Sequence, residues 1–317
     1  MSRLIFRRYQ PSDAQAVSQL LREIYGDHYG RPDIYLPAMI SQHNAEGRWQ
    51  SVVAVDDKRV LGHAALCLDA TSLTAEMALM AVHPAAQGKR VATLLGSQLI
   101  ELSESLKLES LSIKQVTHHP YTQRMAEKIG FHSTGLLPDY IASPLTEPLR
   151  ETMVMGYHIN EGHERPLPNI PWPDSCRALM QHLCSVFGTH QGMAPCVHPP
   201  MQIEQHHERF EILIQRLNNH LLDEIRLLPR HWLISVKLEL SWHFAEDLHN
   251  LSALGFTFTG LMPTHYSKGW FALFHRGAQS RHLTLHCPHM QHLHDDLQQN
   301  ASTQSSAEAL TRTRSAA

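Results

Sequence analysis

Cysteine is scarce in this chain, and long apolar runs are missing from it. The five cysteines among 317 residues, Cys67, Cys176, Cys184, Cys196 and Cys287, are scattered with no C-x-x-C pair. Such an odd, sparse set fits free thiols rather than a disulfide framework. No apolar stretch approaches the roughly 18 residues a membrane-spanning helix needs. Met1 to Arg8 alternate like a strand and lack a signal peptide's apolar segment. The expectation is therefore a cytoplasmic protein with no membrane partner. A dominant charge is also lacking, since 27 Lys and Arg against 30 Asp and Glu leave a net charge of −3. That balance gives no reason to expect nucleic acid.

What is present is enough apolar material for real cores, 43% of the residues, in a chain long enough for two domains. Residues 4–10 read as a strand, and Asp13 can cap a helix running to about Tyr25. A second helix is expected after Pro32. Ser51 to Val55 and Val60 to Leu68 read as strands joined by a tight turn. Ala75 to Val82 is a further strand, ended by Pro84. Gln87-Gly88-Lys89-Arg90 makes a loop, and a long helix follows from Val91 to Leu106. A strand from Leu111 to Val116, a short helix from Tyr121 to Ile129 ended by Gly130, and strands near 132–137 and 152–158 complete a mixed α/β domain.

The domain organisation follows from composition. Residues 1–160 form the first domain, and 161–173 are proline-rich and read as a linker. Residues 174–278 form a second, smaller α/β domain with a long helix from about Phe210 to Leu228. Residues 279–317 are a histidine-rich segment and a Ser/Thr/Gln-rich tail expected to be disordered. Gly130-Phe131-His132-Ser133-Thr134-Gly135-Leu136-Leu137-Pro138 recurs as Gly255-Phe256-Thr257-Phe258-Thr259-Gly260-Leu261-Met262-Pro263, identical at six of nine positions. The second domain thus reads as a reduced copy of the first domain's C-terminal half. The plainer alternative is that helix-Gly-Phe-strand is a common turn solution.

The chemistry lies in the loop. A helix N-terminus offers unpaired N–H groups and a positive dipole end, which suit a phosphate. Gln87, Gly88, Lys89, Arg90, Val91 and Ala92 supply such a start. This run, with Val82-His83-Pro84 before it and Leu94-Leu95 after it, resembles the acyl-CoA pyrophosphate motif of the GNAT acetyltransferases. Tyr25-Gly26-Asp27-His28-Tyr29-Gly30, Ile34-Tyr35-Leu36-Pro37 and Val116 to Gln123 narrow the likeness. They resemble a bacterial GNAT subgroup with an extra C-terminal half domain, some members of which are fused to anti-sigma-factor-like ATPases.

The resemblance implies a GNAT fold with a mostly antiparallel sheet. It also implies acetyl-CoA or another acyl-CoA as co-substrate, and transfer to an amine by direct attack in a ternary complex. It carries over the pantetheine contacts to Leu79, Met80, Ala81 and Val82, and a further cofactor contact to Gln123, for which an exposed helix glutamine is the equal alternative. It makes Glu76 the candidate general base; a salt-bridged strand residue is the equal alternative. Arg90 stands where the family more often has Gly, and Ala126 where many members have a Tyr acid. His118, His119 and Tyr121, at the other end of that helix, are the remaining proton donors, or else a capping and packing cluster. Tyr25, His28, Tyr29 and Tyr35, with Asp27 and Asp33, lie where the family builds its acceptor wall. Aromatic and acidic groups there would suit a cationic amine of a small molecule or amino-acid-like acceptor, or an ordinary connection between helices. The second domain shows no Gly-rich loop before its long helix, so no second acyl-CoA site is expected; the domain could instead shield the first domain's strand edge, as a homodimer or as a pseudo-dimer within the chain.

The 25 histidines crowd at His282, His286, His289, His292 and His294 beside Cys287. A looser group holds Cys196, His198, His206 and His207. Imidazole and thiolate bind zinc, but these spacings match no familiar site, and compositional bias is the preferred reading, with no metal. The alternative to an enzyme is a non-catalytic acyl-CoA-binding or protein-interaction module on the same scaffold.

Overall fold

A computed structural model describes residues 4–27, 29–56, 59–69, 72–142, 150–191, 201–206, 209–264, 268–279 and 281–299. The chain divides into two compact units. The first holds residues 1–132 with 141–150 and 156–163, and the second holds 133–140, 151–155 and everything from Glu164 on.

The first unit begins with β1 (Ile5–Arg8), α1 (Ala14–Tyr25), α2 (Pro37–Ala45) and β2 (Trp49–Asp56). It continues through β3 (Arg59–Leu68), β4 (Thr74–Val82), α3 (Val91–Ser105), β5 (Ser110–Val116) and α4 (Tyr121–Lys128). The strands run in the order β1-β2-β3-β4-β5, antiparallel except for the β4–β5 pair. Two apolar layers cover the sheet. On one face, Leu95, Leu99 and Leu102 of α3 with Met125 of α4 pack on Ala64, Leu66, Ala75, Met77 and Leu111. On the other, Val17, Leu20 and Leu21 of α1 and Ile40 of α2 pack on Val53, Val55, Ala65 and Leu79.

Asp13 stands at the start of α1 without capping it. Its carboxylate instead takes two hydrogen bonds from Arg7 and one from the Gln10 N–H. Those bonds pin β1 to the helix start. The helix expected after Pro32 is a 3-10 turn over Pro32–Tyr35 followed by α2. Pro37 accounts for the break, because it holds Leu36 extended at φ −113 and ψ 101.

The strands β6 (His132–Ala142) and β7 (Arg150–Ile159) give residues to both units. The second unit adds β8 (Leu167–Pro168), α5 (Arg177–Phe187), β9 (Thr189–His190), β10 (Met201–His206) and β11 (Arg209–Ile214). It ends with α6 (Asn219–Leu227), β12 (Leu233–Glu239), α7 (Phe244–Ala253), β13 (Thr257–Pro263), β14 (Trp270–Arg276) and helical residues 288–299. Its strands follow the order β6-β13-β14-β12-β11-β10.

The single long helix expected from Phe210 to Leu228 is two elements, β11 and α6. Phe210-Glu211-Ile212-Leu213-Ile214 is apolar and β-branched enough to pair with β12. Asn218 then starts a new helix, its side chain accepting from Leu221 N at 2.9 Å. The proline-rich stretch is held in place: Leu167 is fully buried, and β8 pairs with β9. Arg165 donates to the carbonyls of Thr264 and Gly269.

Candidate active site

β4 pairs with β5 only at its beginning, where Thr74, Ala75 and Glu76 face Ser110, Leu111 and Ser112. From Met77 to Val82 its β5-side edge has no strand partner among the described residues. The strand bulges at the same place. Ala78 pairs with Ala65 and Ala81 with His63, so Leu79 and Met80 together face Ala64, and Leu79 sits at φ 53. A non-glycine residue there needs outside support. It comes from His63, whose Nδ1 lies 2.9 Å from the Leu79 carbonyl, and from the Tyr25 hydroxyl, which donates to the Met80 carbonyl. Burial pushes the His63 imidazolium down to about 4, so the ring is neutral and Nδ1 carries the donated proton.

The loop after β4 makes a cradle. His83 caps a 3-10 turn over Pro84–Ala86 by accepting from the Ala85 N–H at 3.1 Å. Gly88 then takes φ 75, and Arg90, directly before α3, takes φ 61 and ψ 20. A left-handed residue followed by a helical one turns successive N–H groups toward one side. The first-turn amides of Val91, Ala92 and Thr93 have no backbone acceptor among the described residues. Gln87, Gly88, Lys89 and Arg90 are all exposed. A cleft of about 630 Å³ beside the loop is lined by Arg59 and Lys89 together with Glu23 and Asp56, so its charges balance. Gly62 on β3 lets the helix start this low, because a Cβ there would lie 2.8 Å from Val91 Cγ1 and 3.0 Å from Leu95 Cδ1.

Glu76 lies at the last position where β4 pairs with β5. It faces the α1–α2 side, opposite Cys67 on β3, and its Oε2 accepts from Lys114 Nζ at 2.7 Å. Arg31, from the α1–α2 connection, reaches the same spot and donates to Cys67 Sγ at 3.3 Å. Burial raises the Cys67 thiol and pushes the Tyr29 phenol up to about 12, so both keep their protons at neutral pH. Tyr29 packs against Tyr25 with ring centroids 4.6 Å apart. Tyr35 instead closes its own loop, accepting from Tyr29 N at 2.9 Å and donating to the Gly26 carbonyl at 2.7 Å. His28 lies outside the described residues.

The other proton-carrying candidates form a separate cluster. His118 and His119 meet edge-on at 4.3 Å, and the His119 ring is 5.0 Å from that of Tyr121. Tyr121 is 70% exposed. Six residue steps separate Ser112, the partner of Glu76, from His118, up to about 20 Å of extended strand. Gln123 is buried and donates to the Val116 carbonyl at 3.1 Å, which ties α4 to the end of β5. Ala126 is buried in the apolar layer under α3. Arg31 and Lys114 were missed from sequence. Lys114 could have been found as the residue two beyond the partner of Glu76, whereas Arg31 lay in a segment read for its aromatic and acidic residues.

The C-terminal histidines do not converge. His289 stacks on His182 at 4.2 Å, and His294 is buried. Among the described residues no group of three His, Cys, Asp or Glu side chains is placed to hold a metal. Cys196, His198 and His207 lie outside the described residues.

Residues 14–131 match the sequence model of the Acetyltransferase (GNAT) family. They form a GNAT domain. Among solved structures, the chain is similar to a spermidine N-acetyltransferase chimera from Vibrio cholerae and hSSAT, at 20% identity and TM-score 0.43, over 50% of this chain and 96% of that one. It is also similar to an N-acetyltransferase from Staphylococcus aureus Mu50, at 16% identity and TM-score 0.43, over 50% of this chain and 99% of that one. A third is an IAA acetyltransferase from Bacillus cereus, at 18% identity and TM-score 0.39, over 50% and 99%. A search of curated proteins finds no match.

The residues of the GNAT domain fit the co-substrate its family generally uses. The unsatisfied amides of Val91 to Thr93 and the left-handed Arg90 make an anion cradle. The open edge of β4 offers backbone donors and acceptors to an extended, amide-bearing chain. Arg90 places its charge beside the cradle in a conformation that glycine adopts more cheaply. No helix among the described residues is long and apolar enough to cross a membrane.

Proposed function

We propose that this chain is a CoA-dependent N-acyltransferase of the cytoplasm. It moves an acetyl or other acyl group to an amine of a small molecule or amino-acid-like acceptor, by direct attack in a ternary complex. One observation supports this above the rest: the anion cradle at Arg90 to Thr93 follows a β4 edge that is unpaired on its β5 side, and that edge opens directly after Glu76. Acyl-CoA supplies the activated carbonyl. The N–H groups of Arg90, Val91 and Ala92 hold its pyrophosphate, with Gln87, Gly88 and Lys89 around them, and Ala81 and Val82 lie along its extended arm.

Glu76 takes the proton of the attacking ammonium, with Lys114 fixing the carboxylate. His118, His119 and Tyr121 are the remaining donors for the departing thiolate, because Ala126 has no hydroxyl. Free thiols at the four described cysteines accord with a reducing compartment. The recurrence of Gly130 to Pro138 as Gly255 to Pro263 accords with the C-terminal domain as a degenerate copy that serves as an intramolecular pseudo-dimer partner.

The test is thiol release from acetyl-CoA over a broad panel of primary amines. Amine-dependent release that falls about a hundredfold or more in Glu76→Gln supports the proposal. Ala126 and the distance of the His118–Tyr121 cluster from Glu76 favour a second reading, a non-catalytic acyl-CoA-binding or protein-interaction module. That reading requires acetyl-CoA to bind with no release for any amine.

A further inference from the structure

The segment between α1 and α2 looked suited to a cation, because it carries Asp27 and Asp33 among aromatic rings. Its side chains are arranged the other way. Asp27 accepts from Arg22 at 2.9 Å, and Asp33 lies 2.8 Å from His43 Nε2. Both carboxylates are occupied within the segment and its flanking helices. Arg31 is the residue of this segment whose charge is left over. Its guanidinium has one hydrogen bond, to the sulfur of Cys67, and no carboxylate lies within ion-pair distance among the described residues.

A thiol sulfur is a weak acceptor, and burial keeps this one protonated. Arg31 is nonetheless held in place. Its Cζ lies 5.1 Å from the ring centre of Trp49, and Trp49 is buried. A half-buried, oriented guanidinium with four unused N–H donors is built to meet an anion, and its planar fork matches a carboxylate.

The position of Arg31 gives that anion a place relative to the chemistry. Cys67, its contact, is the cross-strand partner of Glu76. Directly opposite residues of an antiparallel pair project from the same face, with Cβ atoms about 5 Å apart. Arg31 thus stands beside the Glu76–Lys114 ion pair with no carboxylate of its own within ion-pair distance among the described residues. Tyr29, beside Arg31 in the same connection, has no hydrogen-bond partner for its hydroxyl among the described residues and can donate to a second oxygen.

We propose that the acceptor carries a carboxylate close to its reactive amine, as an amino acid does, with Arg31 and Tyr29 holding the carboxylate while Glu76 faces the amine. This rests on the acyltransferase reading of the same site.

The test uses the full chain saturated with coenzyme A and matched pairs of ligands: phenylalanine and phenethylamine, histidine and histamine, lysine and cadaverine. Calorimetry measures the binding of each, and thiol release from acetyl-CoA is followed in parallel. At least one amino acid is expected to bind about tenfold to a hundredfold tighter than its decarboxylated partner, the range a charge-assisted hydrogen-bond pair gives. In Arg31→Gln that ratio should collapse to about one, and Arg31→Lys should retain part of it. The melting-temperature rise with acetyl-CoA, read on the same variants, shows that they are folded.

Equal binding of the two members of every pair, preference for the amine, a ratio that survives Arg31→Gln, or no binding by any member overturns the proposal. Failure of the acyltransferase reading looks different. It shows as no thiol release with any amine, whatever the binding ratios.

Discussion

Gly135 and Gly260 hold the same place in the two copies of Gly-Phe-x-x-Thr-Gly-Leu-x-Pro, and they face each other across the antiparallel pairing of β6 and β13. The approach is too close for any side chain at the second position. A Cβ on Gly260 would lie 2.4 Å from the Gly135 Cα and 2.5 Å from the Thr134 carbonyl oxygen, and its φ is +116. Gly135 has more room, with its nearest contact 3.1 Å away at the Thr259 oxygen. Gly260→Ala is therefore expected to destabilise the second unit by about 3 kcal/mol, and Gly135→Ala by clearly less. Urea unfolding of the two variants checks the order.

Arg90 gives a second expectation. A left-handed non-glycine residue costs about 1 kcal/mol, and glycine returns most of that while adding freedom to the unfolded chain. Arg90→Gly should leave the melting temperature unchanged or slightly raised. It also removes a cation beside the cradle, so acetyl-CoA affinity should fall severalfold, and Arg90→Glu should lower it by at least about tenfold. Calorimetric titration of the three proteins separates the effects on fold and ligand.

His63 sets a pH dependence. Burial lowers its ring to about 4, against 6.5 for the exposed group. The folded state then binds fewer protons than the unfolded state between these values. Stability from this group is complete above about pH 6.5 and is lost as pH falls through that window, by about 3 kcal/mol in all. His63→Gln keeps a donor for the Leu79 carbonyl without the titration. Its unfolding free energy should fall less steeply than that of the parent protein between pH 6.5 and 4.

Gly62 tests how the cradle is positioned. A methyl group at this position pushes on Val91 and Leu95 of α3. Gly62→Ala should cost about 1–3 kcal/mol and weaken acetyl-CoA binding, although residue 62 carries no group that could touch the ligand. A variant that loses stability but binds acetyl-CoA as tightly as before would separate the two effects.

Much of the GNAT domain was legible in sequence because local and tertiary signals agree there. Pro84 ends β4, the apolar spacing of Leu95, Leu99 and Leu102 marks α3, and Gly130 stops the chain after α4. The second unit was harder. Phe210 to Leu228 is apolar enough for a helix, and only the pairing of β11 with β12 and the cap at Asn218 divide it. At the site, Glu76 could be placed on its strand, but its ion pair with Lys114 depends on β4 and β5 lying side by side. Arg31 was hidden for a similar reason: which charge in the α1–α2 connection is left over depends on Arg22 and His43, contributed by the helices on either side. The bulge at Leu79 has no sequence mark, since its supports, His63 and Tyr25, come from other elements.

The measurement that tests the central claim most directly is calorimetric titration of the full chain with acetyl-CoA. The expected result is one site per chain with micromolar affinity, weakened at least about tenfold in Arg90→Glu. No heat of binding and no rise in melting temperature at millimolar acetyl-CoA, with the protein folded, would contradict it.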